Sequence, residues 1–289
     1  VKRRSRRNAL FVLPAMVLYG SMMIFPIALS VIFSFSEWRR FSFISFGTLQ
    51  HYQRIFSDPV LIKAFGNNLI YILVTIVLEG FLGLILAAIA HRLRRSMAFR
   101  AIFFAPVILP SIVIGTLWRQ MYATSGGLLN AFLDLFGMAP VVWLAPPYTM
   151  FSVSMVSGWI FAGYFMTIFF ASMTRIPDSI IESARIDGAG ELRLFFQIEI
   201  PLIKNMIVLV ALIIITGGFK GFDLFQILLR RDPLQSGIVL PTYLIRTFFE
   251  NTNIGYGSAL SMLLTALVLG IVGVMSYINK HVVGQVDEY

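Results

Sequence analysis

The sequence predicts an all-α fold: a polytopic membrane protein with six transmembrane helices and a helix–turn–helix loop on its cytoplasmic side. Three observations predict it. Only 13% of the 289 residues are charged and 58% are hydrophobic, whereas soluble domains carry about a quarter charged residues. Six stretches are nearly free of charge and close to the roughly 20 residues that a helix needs to cross a bilayer. Four arginines crowd into the ten residues from His91 to Arg100, between two such stretches. Short basic segments of this kind stay on the cytoplasmic side. A single membrane domain over residues 1–289 accommodates all of this.

The elements follow in order. Span one, residues 9–36, contains no charge and follows Lys2-Arg3-Arg4-Ser5-Arg6-Arg7, which predicts a cytoplasmic start. Its apolar run is too long for a cleavable signal peptide, and no small-residue cleavage motif stands out. Residues 37–63 are expected to form an outer loop with a short amphipathic helix. Span two, 66–90, holds a single charge, Glu79. Arg92, Arg94, Arg95 and Arg100 then mark an inner turn. Span three covers 99–119, and a Gly- and Pro-rich outer loop covers 123–147. Span four covers 148–174. A long inner loop covers 175–204. Span five, 205–229, admits Lys220 and Asp223. An outer loop, 230–254, precedes span six at 255–279. Six crossings return the C-terminus to the cytoplasm.

Composition excludes several functions. There are no cysteines, so disulfides, Cys-based zinc sites, iron–sulfur clusters and thiol nucleophiles are absent. His51, His91 and His281 lie in separate loops, which argues against a His-based metal or acid–base centre. No Walker A string is present, so P-loop ATP hydrolysis is not expected of this chain. No catalytic residue and no metal site are predicted. The net charge of +9 is explained by basic residues flanking spans, not by a nucleic-acid partner.

The loop 175–204 carries the most information. Asp178 after Pro177 can cap a helix by accepting backbone N–H bonds. Ile180, Ile181 and Ala184 fall on one side of that helix. Gly188 and Gly190 permit a left-handed or tight turn. A second short helix is predicted over Leu192 to Ile198, with Leu192, Phe195, Phe196 and Glu199 at helical spacing, before Pro201 ends it. Such a unit could lie flat on the membrane, or present a compact knob to a cytoplasmic partner.

Here the chain resembles a known family. Glu182-Ser183-Ala184, Asp187-Gly188-Ala189, Phe195 and Ile198-x-Ile200-Pro201 look like the EAA loop of binding-protein-dependent ABC importer permeases. That loop runs Glu-Ala-Ala, three residues, Gly, nine residues, Ile-x-Leu-Pro. Ser183 and Ile200 depart from it in small ways. Phe11-Val12-Leu13-Pro14, Phe25-Pro26 and Gly255-Tyr256-Gly257-Ser258-Ala259 extend the resemblance toward sugar permeases of the maltose and glycerol-phosphate type. Leu229-Arg230-Arg231-Asp232-Pro233 departs from that subgroup's Thr-x-Gly-Gly-Pro stretch.

The resemblance implies a permease in a bacterial or archaeal cytoplasmic (inner) membrane, paired with a second permease subunit, by family habit as a heterodimer. It implies two ABC ATPase subunits beneath, which hold ATP and Mg, and an extracytoplasmic substrate-binding protein. The chain itself would bind no cofactor and catalyse nothing. Glu182, Ser183, Ala184, Asp187, Gly188, Ala189, Phe195 and Phe196 would couple it to an ATPase subunit.

The cargo path is read from the spans. Sugars need aromatic faces and polar partners, which points to Ser157, Trp159 and Tyr164 on span four. Gly218, Lys220, Gly221, Phe222 and Asp223 lie on span five, where glycines predict a break. Broken helices at membrane depth tend to line cavities. By resemblance, Ser111 after the span-three Pro joins them. Glu79, an ionisable residue inside a span, is expected either to serve the transport path or to make a polar contact between helices. Lys220, with Arg119, Arg230 or Arg231 near the outer mouth, would suit an anionic cargo such as a uronate oligosaccharide or sugar phosphate; a neutral oligosaccharide is the simpler expectation. The rival reading is an ion-coupled secondary carrier or channel. It would predict an inverted repeat or buried coupling acids, and the sequence shows neither.

Overall fold

The computed structural model describes residues 2–39, 42–93, 96–230 and 236–283. Arg94, Arg95, Arg231, Asp232 and Pro233 lie outside the described residues. The described residues are predominantly helical, with one two-stranded sheet. Four helices are long and apolar enough to cross a membrane: Phe11–Ser34, Pro59–Arg92, Thr149–Met173 and Ile254–His281. Two further pairs meet the same test only as bent units. Ser96–Ile108 and Ser111–Met121 meet at 94°, and Glu191–Leu202 and Lys204–Gly218 meet at 74°.

The chain divides into two compact units. One comprises Val1–Leu61 and Tyr243–Leu267. Within it the first long helix ends at Ser34, and an antiparallel hairpin follows, Ser36–Arg39 paired with Ser42–Phe46. The sequence reading did not anticipate this hairpin. The expected short helix of the outer loop is Gln50–Ile55. Tyr52 donates to Ser34 Oγ at 2.8 Å and His51 Nε2 lies 3.1 Å from the Ser36 carbonyl, so this helix is tied back to the end of the first span. Asp58 is the hub of the unit. Its Oδ1 accepts the Val60 and Leu61 N–H groups, and its Oδ2 accepts the hydroxyls of Tyr243 at 2.5 Å and Tyr256 at 2.6 Å. Arg54 stands 3.7 Å from Oδ2 and covers the Tyr256 ring.

The second unit comprises Ile62–Thr242 and Val268–Tyr289. Span four, Thr149–Met173, runs through its middle. It buries Ser152, Ser154, Ser157, Gly158, Ala162 and Gly163, alongside Phe165, Met166, Phe169 and Met173. Lipid tails are as apolar as Leu, so spans associate by close packing and interhelical hydrogen bonds, and small residues favour both. Gly163 shows how close the approach is: a Cβ there would sit 1.9 Å from the Phe103 carbonyl oxygen. Leu84, Ala87 and Ala88 of span two, Phe195 and Ile203 of the loop region, and Val210 and Ile214 of span five complete this core.

Two expected spans differ from their predicted form. Span three, expected over 99–119, is broken at Leu109–Pro110. Pro110 has no N–H to give, and it disfavours helical geometry in Leu109 before it. Span five, expected to run to 229, stops at Gly218, and a short helix resumes over Asp223–Leu228. Its glycines lower the cost of leaving the helix. Span two runs unbroken from Pro59 to Arg92, but contains one wide π-helical turn over Ile76–Phe81. Such turns recur at functional sites, and this one carries Glu79.

Candidate functional site

The second unit holds a cavity of about 390 Å³. The break in span three supplies Val107, Leu109, Ser111 and Ile114, and the break in span five supplies Gly217, Gly218, Lys220, Gly221, Phe222, Asp223 and Leu224. Span four presents Ser157, Ile160, Phe161, Tyr164 and Phe165. Residues 157, 160, 161 and 164 follow the i, i+3, i+4, i+7 pattern of one helix face. Two residues on from Ser157, at about 200° around a helix, lies Trp159. It does not line the cavity; it is half exposed and packs edge-on against Trp118, with ring centroids 5.8 Å apart. Trp159 therefore stands outside this lining. The other expected pathway residues, Ser111, Ser157, Tyr164, Gly218, Lys220, Gly221, Phe222 and Asp223, are brought together around one space.

Span two supplies a further wall, Tyr71, Thr75 and Glu79, of which sequence reasoning had singled out Glu79 and missed Tyr71 and Thr75. Tyr71 donates to Ser157 Oγ at 2.8 Å, and Ser157 donates to Glu79 Oε1 at 2.6 Å. The expected interhelical contact of Glu79 is thus real, and it also borders the cavity. The signal was available, since Tyr71, Thr75 and Glu79 are polar residues four apart in a largely apolar span. Asn68, one turn earlier, donates from Nδ2 to the Gly218 carbonyl at 2.9 Å and accepts the Leu240 N–H at 2.7 Å. It holds the end of broken span five in place.

Of the expected cations, only Lys220 lines the cavity. Arg119 and Arg230 are exposed away from the lining, and Arg231 lies outside the described residues. Among the described residues Lys220 forms no ion pair within 4.0 Å, while Glu79 and Asp223 place two carboxyl groups in the same wall.

The loop 175–204 forms the predicted helix–turn–helix. Its first helix is Asp178–Ile186, with Pro177 at the cap position. Asp178 makes no side-chain cap bond. It lies one residue too far in to cap, and instead places its charge in the first turn, where the helix dipole favours an anion. The helix ends in a Schellman motif: Gly188 N–H bonds to the Arg185 carbonyl and Ala189 N–H to the Ala184 carbonyl, each at 3.0 Å. Gly188 takes the required left-handed conformation at φ +82°. Gly190 takes an ordinary negative φ and starts the next helix.

The second helix, Glu191–Leu194, widens into a π-helical turn over Phe195–Glu199. That change of period breaks the expected stripe. Leu192 and Phe196 stay exposed, whereas Phe195 and Glu199 turn inward. Phe195 belongs to the chain's own core and not to the exposed face of the loop. Ile186 at 86% exposure, Leu192 at 76% and Phe196 remain as apolar side chains without cover. Glu182, Ser183, Asp187 and Gly188 are exposed beside them, and Ala184 and Ala189 are half-buried.

Comparison with known proteins bears directly on this arrangement. The family described as binding-protein-dependent transport system inner membrane component matches residues 79–283, from the Glu79 turn through the loop to the end of the last span. The chain belongs to that family. This inner-membrane component is 36% identical over 269 residues to the "Probable ABC transporter permease protein YurN" of Bacillus subtilis, covering 91% of this chain and 92% of that one. It is 29% identical to the xylose/arabinose import permease protein XacH of Haloferax volcanii, covering 92% and 84% of the two chains. A solved bacterial ABC transporter involved in import of the acidic polysaccharide alginate superposes with a TM-score of 0.87 at 18% identity, over 97% of both chains. At that identity the likeness concerns the fold.

Proposed function

We propose that this permease forms half of the translocation path of an ATP-driven importer and passes an oligosaccharide through the cavity between its broken spans. The observation that carries the reading is the wall itself. Its 390 Å³ falls within the range of small-molecule sites. Tyr71, Tyr164 and Phe222 place aromatic rings in the lining, which suits C–H surfaces, and Ser111, Ser157, Lys220 and Asp223 place polar groups there, which suits hydroxyls. Relatives named for xylose/arabinose, sulfoquinovosyl glycerol, diacetylchitobiose and alpha-glucoside transport support a sugar.

The balance of charge favours a neutral oligosaccharide over a polyanion. A uronate chain would meet one amine, Lys220, with the Asp223 carboxyl group three residues on in the same lining. The exposed apolar cluster Ile186, Leu192 and Phe196, rimmed by Glu182, Asp187 and Arg193, has the composition of a specific interface. It supports docking of an ATPase subunit, which would hold the ATP and Mg. With that loop cytoplasmic, both termini are cytoplasmic too, and a substrate-binding protein and a second permease, in a heterodimer, complete the complex.

The test is purification followed by transport. Mass spectrometry of everything that elutes with the permease should find a second permease and an ABC ATPase. Reconstituted with its binding protein, the complex should take up neutral oligosaccharides in an ATP-dependent manner, with uronate oligosaccharides at least tenfold slower. Uptake by the permease alone, driven by an ion gradient, would establish the secondary-carrier alternative.

A further inference from the structure

The helix Asp178–Ile186 buries none of its residues. A push on such a helix moves the rest of the protein only through whatever ties it down. Arg185, in its last turn, donates from Nη2 to Glu191 Oε1 at 3.0 Å, across the Gly188 turn. The other oxygen of the same carboxylate, Oε2, accepts Arg92 Nε at 2.6 Å. Arg92 is the last residue of span two. Its Nη2 reaches Glu199 Oε2 at 3.1 Å, and its Nη1 returns to the Ala88 carbonyl of its own helix at 2.8 Å. Glu199 is 2% exposed and sits in the approach to span five, with His91 Nδ1 at 3.8 Å.

One guanidinium therefore joins both ends of the loop's second half to the end of span two. A planar fork with several donors suits this task, and a lysine ammonium lacks that geometry. Glu191 serves as a two-sided link, with one oxygen on the exposed helix and the other on the span. About three and a half and four and a half turns back along the same span stand Glu79 and Thr75, in the cavity wall. The widened turn at Ile76–Phe81 lies between Arg92 and the Tyr71 end of that wall.

We propose that Arg92 is a positioning residue for transport: through Glu191 and Glu199 it transmits movement of the exposed loop helix to span two, and span two moves the Tyr71–Glu79 wall of the cavity. The proposal rests on the reading that this loop docks an ATPase subunit. Cutting the relay at Glu191 disconnects engine from gate without unseating the engine. Cutting it at Arg92 does the same and also leaves the buried Glu199 carboxylate without its guanidinium.

The experiment uses the assembled complex in proteoliposomes, with ATPase co-purification as the first readout. Failure of the wild-type permease to retain an ATPase subunit would end the docking reading itself. Given retention, Glu191→Gln, an exposed and isosteric change, should fold, keep the ATPase subunit and keep basal hydrolysis within twofold. It should raise the ATP hydrolysed per neutral trisaccharide delivered at least fivefold. Arg92→Gln should uncouple at least as strongly, the double variant should be no worse than Arg92→Gln alone, and Arg92→Lys should fall between. A purely structural role would lower yield and leave ATP per trisaccharide unchanged. A Glu191→Gln complex with wild-type coupling would overturn the proposal. So would one that loses its ATPase subunit, since that would place Glu191 in the docking face.

Discussion

Asn68 and Gly218, 150 residues apart, are joined by a 2.9 Å hydrogen bond from the Asn68 amide to the Gly218 carbonyl. The bond lies where span five stops short. The Asn68 carbonyl oxygen also accepts the N–H of Leu240, the first residue of the helix Leu240–Ile245. Two backbone groups released by chain breaks are thus satisfied by one fully buried side chain. Asn68→Leu leaves both without a partner at about 1–3 kcal/mol each. Thermal unfolding of the purified permease should show a clear loss of stability, and an unchanged midpoint would contradict this account of the break.

Ser157 stands between Tyr71 and Glu79, accepting from one and donating to the other. Groups in one network do not contribute additively. Ser157→Ala and Glu79→Gln should each destabilise the permease, and the double variant should lose less than the sum, with a coupling of about 0.5–3 kcal/mol. Strict additivity in a double-mutant cycle would show that the bond contributes nothing.

Two aromatic residues on span four separate wall from exterior. Tyr164 borders the cavity and Trp159 faces away from it. Uptake by the reconstituted complex should fall about tenfold in Tyr164→Ala, equivalent to about 1.4 kcal/mol. It should stay within twofold in Trp159→Ala. The opposite ranking would move the path to the other face of the helix.

Gly188 sits at φ +82° with open space around it. Gly188→Ala therefore meets no clash, only backbone strain of about 1–2 kcal/mol. Its effect should appear as a roughly tenfold weaker hold on the ATPase subunit in a titration, with the membrane core unchanged in thermal unfolding. Wild-type affinity would show that the Schellman turn can be rebuilt without glycine.

Asp58 gives a pH dependence. Burial raises its carboxyl pKa, but the hydroxyls of Tyr243 and Tyr256 and the Leu61 and Val60 N–H groups outweigh burial and hold it below the ordinary value of 3.8. The unfolded chain therefore binds this proton more readily, so the hub's contribution is complete above about pH 4 and is lost as pH falls through the lower folded value. Burial first, and then Asp58, push the Tyr243 hydroxyl up to about 12, so it remains a donor across the neutral range. Stability should be flat in this respect from pH 5 to 8 and fall in acid, and Asp58→Asn should remove the acid-sensitive part. An identical acid profile in Asp58→Asn would assign it to other groups.

Much of the fold was legible because the bilayer imposes a simple rule on composition. Apolar length located the four long helices, and Gly188 with Ala184 and Ala189 located the loop turn, because a left-handed cap favours glycine. The break in span five was legible in its glycines. The hairpin after span one was not, since Ser36–Arg39 and Ser42–Phe46 carry no turn glycine or asparagine between them. The inward turn of Phe195 was hidden as well, because a π-helical turn changes the period on which the stripe was drawn.

The sequence alone determined that the chain crosses a membrane, which residues flank the crossings, and that a stiff glycine turn interrupts a charged loop; solvent preference and backbone conformation are local properties. Only tertiary structure decided that Glu79 shares a wall with Ser111 and Lys220, that Trp159 does not, and that Arg92 holds Glu191 and Glu199 together. Those relations depend on the azimuth of one helix against another, which packing at Gly163 and the breaks at Pro110 and Gly218 fix, and no linear pattern encodes that angle.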